Sequence, residues 1–425
     1  MITPEYLNEL MYAMQDKLIY IDNYLLSKIV KRILKAYSVG KELFIPATMS
    51  DMRKLIDAGV LYEDIELALQ KALPTIQGLI KDCFYEAAYE ITMQNADIAA
   101  QICKIEGFPV VVPDYSKIGI TNKAEKLGLT PVEIRQLETA YKRTCGTVKN
   151  FTRTTARTTQ QIYINACDTA YMKCTQGVSV QAAVVEAIKE LSDKGIQCIS
   201  FGGKQENMEV AVARAVRTGI NQANAEIVLT RCAEMGVSYI KTSAHLGARV
   251  TSADDYTNHS WWQGRVYSVD WNNPITAEFA SQINVTGEEF QWLNEMRSYM
   301  QTVSKKNYPD FIETCGYGDI QGICGINCRH SFYPYYPDVQ TDDDSRPDLD
   351  ENRKRYELDQ KQRAMERVIR KTKKRLNALS TIDRTEEEFL TEKKKTKDLL
   401  KQQSDKYMDF CKKNRLKPRN MSLKV

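Results

Sequence analysis

Apolar residues return at helical spacing from the start of the chain: Leu10, Met14, Leu18, Ile21, Leu25 and Ile29 fall three or four positions apart. A stripe of that period buries one side of a helix, whereas a half-buried strand needs alternation by two. The same period governs most of the chain before residue 237, which restricts the fold to one that is mainly α. Boundary signals agree. Thr3, Pro4 and Glu5 supply a cap, a first-position proline and an acidic first turn for a helix running to about Tyr37, closed by Gly40 and Pro46. Ser50 can cap a second helix, and Pro74 is expected to break it before a third, Thr75 to Lys104. Residues 1–105 therefore read as an N-terminal helical domain that serves as an interaction platform.

Residues 106–236 read as a helical scaffold. Gly107 to Tyr115 is an extended connector, because Pro109 and Pro113 deny it a helix. Thr130-Pro131-Val132-Glu133 then combines a capping box with a first-position proline and opens a helix to about Lys173. Arg153 and Arg157 share a face of it, expected to be solvated or packed on a partner. Further helices are expected over Ser179 to Lys194 and Gln205 to Met235, ending at Gly195 and Gly236. Gly202-Gly203-Lys204 is no phosphate loop, since the spacing of glycines and the following Gln205 do not fit one.

Residues 237–337 break the helical pattern. Val237 to Thr242 and Arg265 to Val269 read as strands, which makes this a small α+β module. All three histidines and all four tryptophans (Trp261, Trp262, Trp271, Trp292) lie here, with Cys315, Cys324 and Cys328 close together. His245, His259, Cys324, Cys328 and His330 are candidate metal ligands: Cys324, Cys328 and His330 have C-x3-C-x-H spacing, and thiolates with imidazoles suit zinc. A non-metal cluster of packed, hydrogen-bonded side chains is the competing reading. A zinc or thiol hydrolase is the functional alternative, although no orienting acid or oxyanion loop accompanies the thiols. The aromatic run Ser331 to Pro337 is held extended by its prolines and reads as a strap packed on protein.

After Pro337 the composition changes. Residues 338–352 form an acidic linker with almost no apolar content, mobile unless docked. Residues 353–425 carry 24 Lys+Arg against 11 Asp+Glu, about +13, so the net charge of +4 conceals a body of about −9. Two helices are expected in this tail, the second opened by Thr385-Glu386-Glu387-Glu388. They form a basic helical hairpin whose sparse apolar stripe needs a partner surface. No uncharged apolar run is long enough to span a membrane, and no basic, apolar leader opens the chain. Eleven cysteines, an odd number, point to reduced thiols in a cytosolic-type compartment.

The segments H-L-G-A-R, H-S-W-W-Q-G-R-V-Y and G-I-N-C-R-H-S-F-Y-P resemble the phage minor capsid protein 2 family, which is similar to the Mu F-type head morphogenesis proteins. The motif falls on His245, Gly247, Arg249, His259, Trp262, Gly264, Cys328, Arg329, His330 and Pro334. A longer insert than the family pattern, V-T-S-A-D-D-Y-T-N, separates Arg249 from His259. The resemblance implies a minor structural head protein and no catalytic activity. Its implied place is the capsid interior or portal vertex of a virion assembled in the host cytoplasm. The implied partner is the portal protein; scaffold, major capsid protein and packaged DNA are further candidates. No cofactor is implied beyond the candidate zinc.

Overall fold

The computed structural model describes residues 3–38, 47–102, 129–253, 255–282, 307–337, 340–383 and 386–419, with Gln291, Glu295, Ser298, Thr302 and Leu423. Trp292 and the 107–115 connector lie outside the described residues. The fold is mainly α with small sheets. The chain forms two compact units, each built from separated stretches.

One unit gathers Tyr12–Leu79, Gly146–Ala213 and Leu358–Val425. It contains α2 (Tyr12–Ser38), separated from α1 (Pro4–Leu10) by a turn at Met11 where one helix was expected. The buried stripe of α2 is Met14, Leu18, Ile21, Leu25, Ile29 and Ile33, all at three- or four-residue spacing. Helix α3 (Ala47–Ile102) contributes its first half. Pro74 lies inside α3 and does not break it, contrary to the expectation. Proline removes one backbone hydrogen bond and crowds the preceding turn, but buried Leu69 and Ile76 flank it and anchor the helix on both sides.

Helix α4 (Pro131–Thr175) opens with the expected capping box: Thr130 N donates to Glu133 Oε2 at 2.8 Å and Glu133 N to Thr130 Oγ1 at 3.3 Å. Its latter part belongs to the same unit as α2, as does α5 (Val180–Lys194), capped by Ser179 and Gly195. The next residues correct the helix boundary. Gln205–Asn207 is not helical but is β2, antiparallel to β1 (Gln197–Ile199). Gly202 and Gly203, both at positive φ, make the turn between them, and α6 starts only at Met208, running to Glu234.

The tail helices are α10 (Leu349–Ser380) and α11 (Glu387–Lys413). The N-cap of α11 is Glu386, whose side chain makes no capping bond, and Thr385, the expected start of the capping box, lies outside the described residues. Ile369, Tyr407, Cys411 and Leu416 form the buried seam between them. The partner surface that the hairpin requires lies within its own unit. Helix α5 packs against both α2 and α11, and acidic residues of the unit pair with basic side chains of the tail. Arg375 holds Asp193 with Nη2 at 2.6 Å from Oδ2, and Lys189 reaches Glu392 at 2.9 Å.

The second unit gathers Met1–Met11, Ile80–Cys145 and Arg214–Glu357. Its centre is an antiparallel sheet of order β4-β3-β5: β3 is Tyr239–Thr242, β4 Val266–Ser268 and β5 Phe332–Pro334. Ile240 sits opposite Tyr267 on one side and Pro334 on the other. The aromatic strap is thus the third strand, and its proline is on an edge, where a missing N–H costs no ladder bond. In the same unit, Glu133 is fully buried and bridged by Arg231, whose Nε lies 2.5 Å from Oε1. The acidic linker is docked in its described part. Asp343 Oδ1 meets Lys241 Nζ at 2.6 Å, Ser345 N donates to Gly264 O at 3.2 Å, and Asn352 is buried. Among the described residues no helix is long and apolar enough to cross a membrane, and the ten described cysteines are free thiols.

Candidate functional site

The histidines converge at one end of this sheet. β3 leads directly into His245, and the one-turn helix α7 (His259–Trp262) carries His259 and Trp262. The third contributor is the loop that carries Cys324, Cys328 and His330, which runs from α9 (Phe311–Cys315), the helix after α8 (Pro274–Ser281), to β5. That loop turns sharply, with Cys324 and Asn327 both at φ of +60°. Gly322 has no room for a side chain: a Cβ there would lie 1.9 Å from the Gly316 carbonyl oxygen. Two hydrogen bonds between Ser243 and Ser331, at 2.8 and 2.9 Å, clip the end of the loop to β3.

Within the cluster, His245 stacks on His330 with ring centroids 4.4 Å apart and planes 21° from parallel. His259 meets His330 edge-on at 5.3 Å. The fully buried Trp262 ring lies 4.8 Å from both His259 and His330, and its Nε1 donates to Tyr256 O at 2.9 Å. Ligand atoms of His259, Cys328 and His330 all lie within 4.8 Å of one another. His245 is not in that group, and Cys324 sits beside it, with its Sγ 3.8 Å from the His330 carbonyl.

The hydrogen bonds assign the tautomers. Gln263 Oε1 accepts from His245 N at 3.0 Å, so this atom is the amide oxygen. His330 Nε2, 3.1 Å from the same oxygen, must then carry the proton. Its Nδ1 is left with a lone pair facing Cys328 Sγ at 3.7 Å. His259 Nε2 lies 2.8 Å from the Gln321 carbonyl and is likewise the protonated nitrogen. Burial pulls the His259 pKa down to about 4 and that of His330 well below its ordinary value, so both rings are neutral at neutral pH. Burial also pushes the Cys328 thiol up to about 11. A protonated thiol closed off from solvent is a poor nucleophile.

The remaining motif residues hold this arrangement together. Arg249 donates to the carbonyls of Gln321 and Ile326, at 3.0 and 2.8 Å, tying the cysteine loop to the segment after β3 that carries His245. Gly264, at φ +70°, lets the linker backbone approach; a Cβ there would lie 2.9 Å from Arg346 N. Gly247 N donates to Asn352 Oδ1 at 2.8 Å. Arg329 is half-buried, and Pro334 lies in β5.

The model of the phage minor capsid protein 2 family matches residues 2–410. The chain belongs to that family. This minor capsid protein is also similar to two proteins named "Structural protein". One is from Lactococcus phage LL-H, 40% identical over 70 residues that cover 16% of this chain and 19% of that protein. The other is from Lactococcus phage mv4, also 40% identical over 70 residues, covering 16% of this chain and 57% of that protein. The chain thus spans about a fifth and just over half of the curated relatives it matches. No solved structure matches.

Three residues of this minor capsid protein's cluster were not singled out from the sequence. Gln263 sits between Trp262 and Gly264 and could have been read from that position. Gln321 acts through its backbone carbonyl, which leaves no trace in residue type. Asn352 closes on Gly247 and Ala248 from 105 and 104 positions away, and nothing local announces that contact.

Proposed function

We propose that this minor capsid protein is a component of the virion head that binds near the portal vertex and acts in head assembly or in DNA packaging and delivery. The family match over residues 2–410 carries the reading. In it, residues 1–105 present the portal-docking surface, 106–236 the scaffold, 237–337 the core and 353–425 the basic tail. Apolar side chains left in solvent on α2 and α3 support that docking surface: Tyr20 is 64% exposed, Leu55 58% and Ile56 63%. Removing residues 1–105 would take strands of chain from both units, so the test uses the full chain with Tyr20→Glu, Leu55→Glu and Ile56→Glu combined. The variant should fold and co-purify with portal at least about tenfold less well, the effect of losing roughly 1.4 kcal/mol of interface energy. Normal portal capture and normal incorporation into heads would overturn the docking role.

The basic tail is proposed to meet an acidic face of a head protein, with packaged DNA as the competing partner. Part of its charge is already engaged by Asp193, Glu209 and Glu366, and acidic Asp398, Asp405 and Asp409 interrupt the lysines of α11. Six phosphate contacts would cost roughly a thousandfold in DNA affinity between 50 and 200 mM salt. The full chain titrated with duplex DNA should show a far shallower dependence. A slope of that steepness would assign the tail to DNA instead.

A further inference from the structure

The geometry points to a zinc site formed by His259, Cys328 and His330 in the core of the second unit, an inference independent of where the protein sits in the head. The three side chains are buried, at 2%, 1% and 2% exposure, and their ligand atoms lie within 4.8 Å of one another. Tetrahedral zinc, with bonds of about 2.3 Å to sulfur and 2.0–2.1 Å to nitrogen, separates its ligand atoms by about 3.3–3.6 Å. Cys328 Sγ and His330 Nδ1 are already 3.7 Å apart.

The second observation is the arrangement around the ligands. A metal-bound histidine characteristically donates its other ring N–H to a carbonyl or carboxylate, which fixes the tautomer and aims the lone pair. His330 and His259 both do so, through Gln263 Oε1 and the Gln321 carbonyl. The His330 backbone N–H lies 3.4 Å from Cys328 Sγ, where it would stabilise a thiolate. One thiolate and two imidazoles form a soft-to-borderline set that favours zinc over magnesium or calcium. Cys324 Sγ shares the His330 carbonyl with Cys328 and is the adjacent candidate for the fourth position. His245 is excluded from the set by its geometry. Its ring is stacked within 21° of the His330 plane, and two near-parallel rings cannot both direct an in-plane lone pair at one ion.

Binding forms one Zn–S and two Zn–N bonds and releases the Cys328 thiol proton to solvent, with no change of oxidation state. The ion would tie α7 to the sixteen-residue loop between α9 and β5, adding to the hydrogen bonds of Arg249 and Ser243 a staple for a segment with little regular structure. The full chain, purified without chelator and then dialysed against metal-free buffer, should retain about one zinc per chain by elemental analysis. Cobalt substitution should give a thiolate-to-metal charge-transfer band and the visible bands of tetrahedral geometry. Cys328→Ser and His259→Asn should each lose the zinc and the charge-transfer or visible signature, whereas His245→Asn and Cys174→Ser should keep both. Should the ligand variants fail to fold, the wild-type cobalt spectrum and a chelator-induced fall in melting temperature decide the matter. Folded wild-type protein that takes up neither zinc nor cobalt overturns the proposal, and so does a folded Cys328→Ser protein that retains zinc.

Discussion

Lys374→Met should destabilise the protein by about 3–5 kcal/mol at neutral pH, because it strips the counter-charge from two buried carboxylates. Lys374 is 4% exposed, with Nζ 2.8 Å from Asp22 Oδ2 and 3.2 Å from Glu209 Oε1. Burial already raises the Asp22 pKa against the opposing pull of Lys374. Without the lysine it rises further. A carboxyl whose folded pKa exceeds its unfolded value takes up a proton on folding, so its penalty is full above the folded pKa and vanishes below the unfolded one. The variant's deficit should therefore shrink as pH falls through the acid range. Asp22→Asn added to Lys374→Met should recover much of the loss, since an amide oxygen can still accept from Ile196 N, 3.3 Å away in the wild type. Urea midpoints at two pH values measure both effects. A deficit below about 1 kcal/mol, typical of an exposed pair, would show that this ion cluster is solvated.

That cluster also shows why the tail looked different in the sequence. A surplus of about thirteen positive charges after residue 352 reads as a surface awaiting an anion. Part of the anion is Asp22, Asp193 and Glu209, contributed by α2, α5 and α6, and no local pattern links residue 22 to residue 374. Helical period located the buried stripe of α2, because burial on one face imposes it whatever the partner. It could not anticipate that α3 continues through Pro74, since the decision there rests on tertiary anchoring by Leu69 and Ile76. Strand β2 was missed for a related reason: three polar residues, Gln205–Asn207, carry no alternation and exist as a strand only through pairing with β1. In the central module the residue types themselves were informative. His245, His259 and His330 come from distant segments, yet His245 stacks on His330 at 4.4 Å and His259 meets His330 edge-on at 5.3 Å. What the types could not convey was the division of roles, which depends on ring planes and on two carbonyl oxygens.

Trp262 is the packing counterpart of those roles, and Trp262→Ala should cost about 3–5 kcal/mol, the range for removing a large buried aromatic. The indole is fully buried and lies against both His259 and His330, so its loss opens a cavity beside the cluster. Trp262→Phe separates the two contributions. Phenylalanine refills much of the space but leaves the Tyr256 carbonyl without the indole donor now 2.9 Å away, a loss of about 1–1.5 kcal/mol for the hydrogen bond. Equilibrium urea unfolding of the two variants should therefore give a clear order, Ala far below Phe and Phe below wild type, with similar slopes. Equal losses for Ala and Phe would place the stabilisation in the hydrogen bond that positions residues 256–262, and not in the packing of the ring on the histidines.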